Sequence, residues 1–209
     1  MSASERHEPL VFIVSGPSGS GKSTLVLKLL ELPGTMFSIS CTTRPRRSAE
    51  RDGEWYNFVS EEEFDRMIER GEFLEHARVF GKHRYGTPRK WLEASRTRGL
   101  DLVLEIDVQG AAQLRGRLSS AIEVFILPPS REVLEQRIRA RGQDSEEEIG
   151  RRLQRASEEL QRYREYEYVL VNDDLERAGR ELQAIAIAGR CRRSANEKTV
   201  HEILESFGG

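Results

Sequence analysis

The amino-acid sequence predicts an α/β protein in which a parallel sheet lies between two layers of helices. Short apolar runs rich in β-branched residues alternate with helical segments, and a glycine-rich loop joins the first of these runs to the first helix. With 209 residues, of which 37 % are hydrophobic, the chain is long enough to bury a core. We therefore expect one folded unit that carries inserted segments.

Strands and helices alternate along the chain in the order that such a three-layer core requires. The apolar runs that predict strands are residues 10–14, 37–41, 102–106, 123–127 and 168–171. The segments that predict helices are residues 24–30, 109–117, 130–141, 145–165 and 174–188. Capping boxes that begin at Ser60 and Ser145 mark two helix starts.

The first strand leads into a loop that matches the pattern G-x-x-x-x-G-K-[ST]. In such a loop, glycines let backbone N–H groups turn toward phosphate oxygens, and the N-terminus of the next helix adds a partial positive charge. We expect Lys22 to reach the β- and γ-phosphates and the Ser23 hydroxyl to bind Mg²⁺. The pattern indicates a P-loop NTPase core, and the residues expected to bind ATP are Gly16, Pro17, Ser18, Gly19, Ser20, Gly21, Lys22, Ser23 and Thr24.

The composition excludes several other classes of protein. Lys and Arg number 33 against 35 Asp and Glu, and the net charge of −2 argues against a general nucleic-acid binder. No apolar stretch approaches the ~18 residues of a membrane span, and residues 1–9 lack the apolar region of a signal peptide, so we expect no membrane partner and a cytoplasmic location. Two distant cysteines and four histidines predict neither a disulfide framework nor a zinc site.

Residues 42–99 are too long for a simple crossover between two strands. They contain alternating runs of their own at 56–59 and 73–80, and they begin with a basic block, 44–51, in which four arginines accompany one glutamate. This pattern predicts an inserted subdomain, and by composition alone its arginine cluster is typical of an exposed basic loop. A second charged stretch, residues 131–164, is by its charge alone typical of a solvated helical surface.

Further blocks follow the P-loop in a fixed order. They are residues 38–47, 52–58, 85–88, 104–110, 127–130, 137–142 and 171–174. Together with the P-loop, they resemble the nucleoside-monophosphate kinases and, among these, the guanylate kinase family closely. The resemblance covers residues 9–188 and implies transfer of the γ-phosphate of ATP to GMP, and also to dGMP, in purine metabolism, with Mg²⁺ as the cofactor.

The resemblance also implies a division of the chain into functional parts. These are a flexible leader (1–8), a core (9–37, 100–129 and 159–188), a mixed α/β GMP-binding insert (38–99), a helical lid (130–158) and a C-terminal helical extension (189–209). The sequence departs from the family in two places: the interval from Glu75 to Tyr85 is one residue longer than expected, and Ala49 stands where a glycine is expected. The register of Tyr85 and Thr87 therefore stays open at this point.

Individual residues receive roles from the same resemblance. For the GMP phosphate it implies Arg44, Arg47, Tyr56 and Tyr85, and for guanine it implies Ser40, Glu75, Thr87 and Asp107. Around the transferring phosphoryl group it implies Lys22, Arg44, Arg137, Arg141 and Arg152. It places Asn172 near adenine. Glu105 follows an apolar strand, in a Walker-B-like position, and we expect it to orient a water bound to Mg²⁺.

Chemistry supports these residue types. The planar guanidinium fork of arginine suits a phosphate dianion, and tyrosine hydroxyls complete the shell without adding charge. Guanine presents two adjacent N–H donors that one carboxylate can accept together, whereas adenine presents no such pair. A carboxylate at Glu75 would therefore select the base, because facing the wrong base would leave it unpaired.

Two alternative functions stay open. The chain could phosphorylate a different small-molecule acceptor on the same fold, although Glu75 together with Arg44 and Arg47 argues for GMP. It could also be a guanylate-kinase-like scaffold module that binds a partner peptide, although the intact P-loop argues for catalysis.

The tail beyond residue 189 carries an apolar stripe at helical spacing. Its members are Val200, Ile203, Leu204 and Phe207. The interpretation that we favour is a helix docked on its own core, and the alternative is a contact between subunits of a homo-oligomer.

Overall fold

The structure is a computed structural model that describes residues 7–48, 50–79, 83–118, 120–140 and 145–208. The strands are β1 (Val11–Ser15), β2 (Thr35–Phe37), β3 (Ser40–Thr42), β4 (Tyr56–Phe58), β5 (Phe73–Val79), β6 (His83–Pro88), β7 (Asp101–Glu105), β8 (Ile122–Leu127) and β9 (Tyr168–Val171). The helices are α1 (Lys22–Leu30), α2 (Glu61–Glu69), α3 (Lys90–Arg98), α4 (Val108–Leu114), α5 (Arg131–Ala140), α6 (Glu146–Leu160), α7 (Leu175–Arg190) and α8 (Arg193–Ser206).

A five-stranded parallel sheet forms the centre of the molecule, with strand order β2-β7-β1-β8-β9. Alternate residues of β1 face opposite sides: Phe12 and Val14 pack toward α1 and α7, whereas Val11 and Ile13 pack toward α3 and α4. These side chains are buried on both faces, which is why the strand is apolar throughout. The predicted α/β fold with a three-layer core is confirmed.

A smaller mixed sheet, with strand order β4-β3-β6-β5, lies within residues 38–99. Stacked rings of Phe64 from α2 and Phe73 from β5 form its core, with centroids 4.6 Å apart. The antiparallel pairing of β5 with β6 places Glu75 opposite Thr87. This pairing gives the register of Tyr85 and Thr87 relative to β5, which the longer interval after Glu75 had left open. Residues 80–82 lie outside the described ranges, and so does the end of the predicted run 73–80.

Several predicted boundaries differ from the structure. The run 37–41 is not one strand: β2 ends at Phe37 in the central sheet, and β3 begins at Ser40 in the smaller one. The helix predicted over 145–165 ends at Leu160 and continues as a 3₁₀ turn over Gln161–Glu165. Strand β6 and helix α3 were missed because their sequences are polar and lack a clear period. The two capping boxes are present: Ser60 and Ser145 accept hydrogen bonds from backbone N–H groups three residues later.

The C-terminal helix α8 contradicts the favoured interpretation of the tail. Its anchor is Ala195, which is buried and whose carbonyl accepts from the backbone N–H of Glu8 at 2.8 Å. The apolar stripe itself points outward, and Phe207 is 85 % exposed. The stripe is therefore not docked on the core of this chain. Among the described helices, α8 included, none has the length and apolar character needed to cross a bilayer.

Candidate functional site

The P-loop connects β1 to α1 at the carboxyl edge of the central sheet, where parallel α/β folds place their ligands. Gly21 has a φ of 91°, and a Cβ there would lie 2.1 Å from Nδ2 of Asn172. A Cβ on Gly16 would lie 2.4 Å from the carbonyl oxygen of Ile126. Both positions therefore require glycine, for the turn and for the close approach of neighbouring strands.

Lys22 and Ser23 begin α1 and point into the cleft above the loop. The ammonium of Lys22 donates to the carbonyl oxygens of Gly16 (2.7 Å) and Pro17 (3.0 Å). The Ser23 hydroxyl donates to Oε1 of Glu105, at the end of β7, at 2.8 Å. A cation, a hydroxyl and a carboxylate thus lie together at the mouth of the loop.

The predicted lid arginines reach the P-loop in different ways. Arg152 of α6 donates to Oγ of Ser18 at 2.7 Å, so its guanidinium lies at the cleft. Arg137 of α5 donates instead to the carbonyl oxygens of Ser20 (3.3 Å) and Asn172 (2.9 Å). Asn172 is buried and donates to the Ser20 carbonyl at 2.8 Å. Arg137 and Asn172 therefore support the loop from its protein side in this structure.

A second cluster of cationic and aromatic side chains faces the loop from the smaller sheet. The guanidinium of Arg44 lies over the ring of Tyr56, 4.9 Å from its centroid, and Tyr56 meets Tyr85 edge to face. The fork of Arg44 is engaged by Glu50, with Nη1–Oε2 and Nη2–Oε1 distances of 2.7 and 2.5 Å. The backbone N–H of Arg47 also donates to Glu50.

Glu50 is a site residue that the sequence reasoning missed. Its hydrogen bonds from Arg44 hold the pKa of the carboxyl below its usual range, so it is ionised at neutral pH. Its position three residues after Arg47, as the single acid of the basic block, was the signal that could have identified it. The Glu50 carboxylate thus accepts the hydrogen bonds of the Arg44 guanidinium, which the family resemblance assigns to the GMP phosphate.

Glu75 is the most deeply placed acid of the cleft, with only 5 % of its surface exposed. Its Oε1 accepts a hydrogen bond from the hydroxyl of Thr87 at 2.6 Å. Burial raises the pKa of Glu75 to about 7, and the nearby charge of Asp107 acts in the same direction. Such a carboxylate is available for a buried ligand that brings its own N–H donors.

Asp107 lies beside Glu75 and caps the N-terminus of α4. Its Oδ1 accepts from the backbone N–H groups of Gln109 (3.1 Å) and Gly110 (2.9 Å), and its Oδ2 accepts from the Gln109 side chain. The residue thus has a structural role as a helix cap, in addition to its place in the wall of the cleft.

One cavity of about 420 Å³ joins the two clusters. Among its lining residues are the predicted Gly16, Ser18, Gly19, Gly21, Lys22, Ser23, Thr24, Ser40, Arg44, Arg47, Tyr56, Glu75, Tyr85, Glu105, Asp107 and Arg152. The predicted residues that lie beside this cavity rather than in its lining are Pro17, Ser20, Thr87, Arg137 and Asn172. Arg141 lies outside the described residues.

Glu159 of α6 also lines the cavity and was missed by the sequence reasoning. Nε of Arg155 donates to its Oε1 at 3.0 Å, and burial raises the pKa of the carboxyl. Nothing in the motif blocks points to this residue, since only the path of α6 past the P-loop brings it to the cleft.

Comparison with known proteins decides the family. The family model for guanylate kinase matches residues 8–188. The chain belongs to the guanylate kinase family. It is 48 % identical to the guanylate kinase of Symbiobacterium thermophilum, over 95 % of this chain and 94 % of that protein, and 50 % identical to that of Koribacter versatilis, over 90 % and 82 %.

Fold similarity agrees with this assignment. A crystal structure of guanylate kinase from Anaplasma phagocytophilum superposes with a TM-score of 0.81 at 35 % identity, covering 96 % of each chain. Guanylate kinases phosphorylate GMP to GDP with ATP. The predicted resemblance to this family is therefore confirmed.

Proposed function

We propose that this chain transfers the γ-phosphate of ATP to GMP, giving ADP and GDP, and that it also accepts dGMP. The observation that supports this most directly is the single cavity that holds Lys22 of the P-loop at one end and Arg44 and Glu75 at the other. The proposal places the γ-phosphate of ATP near Lys22 and the phosphate of GMP near Arg44, so that the two face each other across this cavity.

Charge repulsion is the main obstacle to the reaction. An oxygen of the GMP phosphate attacks the γ-phosphorus of ATP, and the bond from that phosphorus to the β-phosphate oxygen breaks as ADP leaves. No general base is needed, since the nucleophile is already anionic at neutral pH. Lys22 and Arg152 lie on the ATP side and Arg44 on the GMP side, so cations surround the path of the transferred group. Arg137 supports the P-loop in this structure, and the place of Arg137 and Arg141 around the transferring group stays a prediction.

Mg²⁺ fits the residues at the mouth of the P-loop. The Ser23 hydroxyl and the Glu105 carboxylate are oxygen donors of the kind that Mg²⁺ prefers, and they lie 2.8 Å apart. No cluster of three or more His, Cys, Asp or Glu that could hold a metal occurs in the described ranges, which suits an ion bound mainly by ATP phosphates. When bound, Mg²⁺ would neutralise phosphate charge.

The GMP phosphate is proposed to replace Glu50 on the fork of Arg44. A phosphate dianion offers more charge than one carboxylate in the same geometry. Arg47, Tyr56 and Tyr85 line the same end of the cavity and complete the phosphate shell. Arg44 would thus be held ready for its ligand before GMP arrives.

Guanine is proposed to lie between β3 and the start of α4. The Glu75 carboxylate would accept from the two adjacent N–H groups of the base, and Ser40 lines the same wall. Thr87 acts through Glu75, to which it donates. dGMP is included as a second acceptor because the family resemblance implies it.

The alternative scaffold function is disfavoured by the P-loop. The intact motif supports catalysis, since Lys22 and Ser23 lie at the mouth of a loop whose Gly16, Gly19 and Gly21 all have positive φ. A peptide-binding module would have no use for this geometry. A cytoplasmic location and a homo-oligomer through the exposed stripe of α8 stay predictions.

A coupled assay for ADP, run with ATP and Mg²⁺ across GMP, dGMP, AMP, CMP and UMP, tests the proposal. We expect turnover with GMP and dGMP and rates at least a hundredfold lower with the other three, on the order expected when a buried acceptor faces the wrong base. Absence of GDP from purified, folded protein would refute the proposal. Equal rates with AMP would favour the alternative of a different acceptor.

A further inference from the structure

Helix α4 of the core packs against β5, the outer strand of the smaller sheet that carries Glu75. The side-chain amide of Gln113 bonds the open edge of this strand twice. Its Oε1 accepts from the backbone N–H of His76 at 3.2 Å, and its Nε2 donates to the carbonyl of the same residue at 2.7 Å. Arg117, in the turn after α4, donates to the carbonyl of Leu74 at 3.5 Å. The core thus holds the strand on both sides of Glu75.

Gly110 lies one helical turn before Gln113, on the same face of α4. A Cβ built on Gly110 would lie 2.4 Å from Oε2 and 2.9 Å from Cδ of Glu75. Both distances are shorter than non-bonded atoms allow, so the carboxylate occupies the space that a side chain would take. The opposite oxygen, Oε1, is held by Thr87. The Thr87 hydrogen bond therefore fixes one oxygen of the Glu75 carboxylate, and the other oxygen fits into the space left by the absent Cβ of Gly110.

The backbone does not explain a glycine here. Gly110 lies inside α4 and is not among the glycines with positive φ in the described chain, so any residue could adopt its conformation. Glycine weakens a helix interior relative to alanine. The close approach of the Glu75 carboxylate is the feature that requires it.

We propose that Gly110, together with the Gln113 clamp, is a positioning element for base recognition that sets the depth of the Glu75 carboxylate in the cleft. The inference rests on the proposed function, since it concerns how guanine is selected. A Cβ at residue 110 would push the carboxylate by about 1 Å, because that is the difference between 2.4 Å and an ordinary contact. A displacement of this size is enough to misalign two hydrogen bonds to the base.

The Gly110→Ala variant tests this directly. Its KM for GMP should rise about tenfold to a hundredfold, while kcat and the KM for ATP change less than about twofold. The preference for GMP over inosine monophosphate, which lacks the 2-amino group, should fall by a similar factor. The control is Gly179→Ala in α7, where a Cβ would meet the aliphatic chain of Lys28 at 3.2 Å, outside the cleft. It should leave both KM values and the preference unchanged.

A double-mutant cycle separates positioning from general damage. In the wild-type background, Glu75→Gln should remove most of the preference for GMP over inosine monophosphate. In the Gly110→Ala background, the same change should have little further effect, since the carboxylate is already displaced. If the two substitutions reduce the preference independently, so that the loss in the double variant is the product of the two single losses, residue 110 acts elsewhere and the inference is overturned.

A second variant keeps the test decisive if Gly110→Ala does not fold. Gln113→Ala removes the clamp without adding bulk, and it should raise the KM for GMP and reduce the base preference in the same direction. If neither variant changes the base preference while the wild-type protein makes GDP, the inference fails and the proposed function survives. If the wild-type protein makes no GDP from GMP, the proposed function itself fails.

Discussion

Replacing Glu75 by Gln should stabilise the protein at alkaline pH. The carboxyl is buried at 5 % exposure, and its pKa rises from an ordinary 4.5 to about 7 on folding because burial disfavours the charged form. Ionising it in the folded state therefore opposes folding. Glutamine keeps an acceptor for the Thr87 hydroxyl and carries no charge, so the variant avoids this penalty.

The magnitude follows from the pKa values. Each pKa unit corresponds to about 1.4 kcal/mol, so a rise from 4.5 to about 7 gives a penalty of about 3 kcal/mol when Glu75 is ionised in both the folded and unfolded states. Below pH 4.5 the carboxyl is protonated in both states and the penalty vanishes. It grows as pH rises and is complete above pH 7, where the folded-state carboxyl also ionises. The stability advantage of Glu75→Gln should thus grow by about 2–3 kcal/mol between pH 5 and pH 8.5.

Urea unfolding of both proteins at several pH values, without nucleotides, measures this quantity. All other titrating groups are shared, so the difference between the two stability curves isolates residue 75. The same substitution at Glu54, whose side chain is 53 % exposed, is the control and should show little growth with pH. A difference that stays constant with pH, or a variant that becomes relatively less stable as pH rises, would contradict a raised pKa for Glu75 in the folded protein.

Four further outcomes are expected. The KM of the wild-type protein for GMP should rise as pH falls below 7, because protonation of Glu75 removes the acceptor for guanine. The KM of Glu75→Gln, measured in parallel, should not show this rise. If the two KM values change with pH in the same way, the prediction is wrong. Lys22→Ala should lower kcat by at least about a hundredfold with an unchanged circular-dichroism spectrum, and retained turnover would exclude its assigned role. Arg44→Lys should raise the KM for GMP about tenfold in steady-state kinetics, because lysine cannot form the two-pronged contact of a guanidinium. The control is Arg51→Lys, at a side chain that is 83 % exposed, and it should leave this KM unchanged. Asp101→Asn should lower the free energy of unfolding in urea by about 3 kcal/mol, because the buried carboxylate pairs with Arg190 and accepts from the N–H of Leu10. The KM values should not change. An unchanged free energy of unfolding would show that the ion pair contributes nothing to stability.

The ATP half of the site was largely predictable because its residues are contiguous. A strand, a glycine loop and a helix that follow one another along the chain can meet in few ways, so the sequence alone placed Lys22 and Ser23 together. Residues that support this loop from a distance were harder to place. The place of Asn172 beside adenine stays a prediction, and the sequence did not indicate that its amide also donates to the carbonyl of Ser20.

The base half depended on contacts between segments far apart in sequence. The family resemblance named Glu75, Thr87 and Asp107, but the register of Glu75 against Thr87 depended on the β5–β6 pairing, across an interval of unexpected length. The run 37–41 was read as one strand because apolar alternation does not show where a chain leaves one sheet and enters another. Similarly, helical spacing correctly predicted α8, but it could not show that its apolar side stays exposed among the residues that the structure describes.

The fold class, the family and the phosphate-binding loop could all be predicted from the order of residues, because each depends on local pattern: apolar periodicity, glycine spacing and ordered motif blocks. The contact of Glu50 with Arg44 and the place of Glu159 in the cleft became visible in the folded chain. Folding also brought the carboxylate of Glu75 against the bare Cα of Gly110. The physical reason is that burial, pKa and close packing depend on which distant segments exclude water from each other, and the order of residues along one segment does not contain that information.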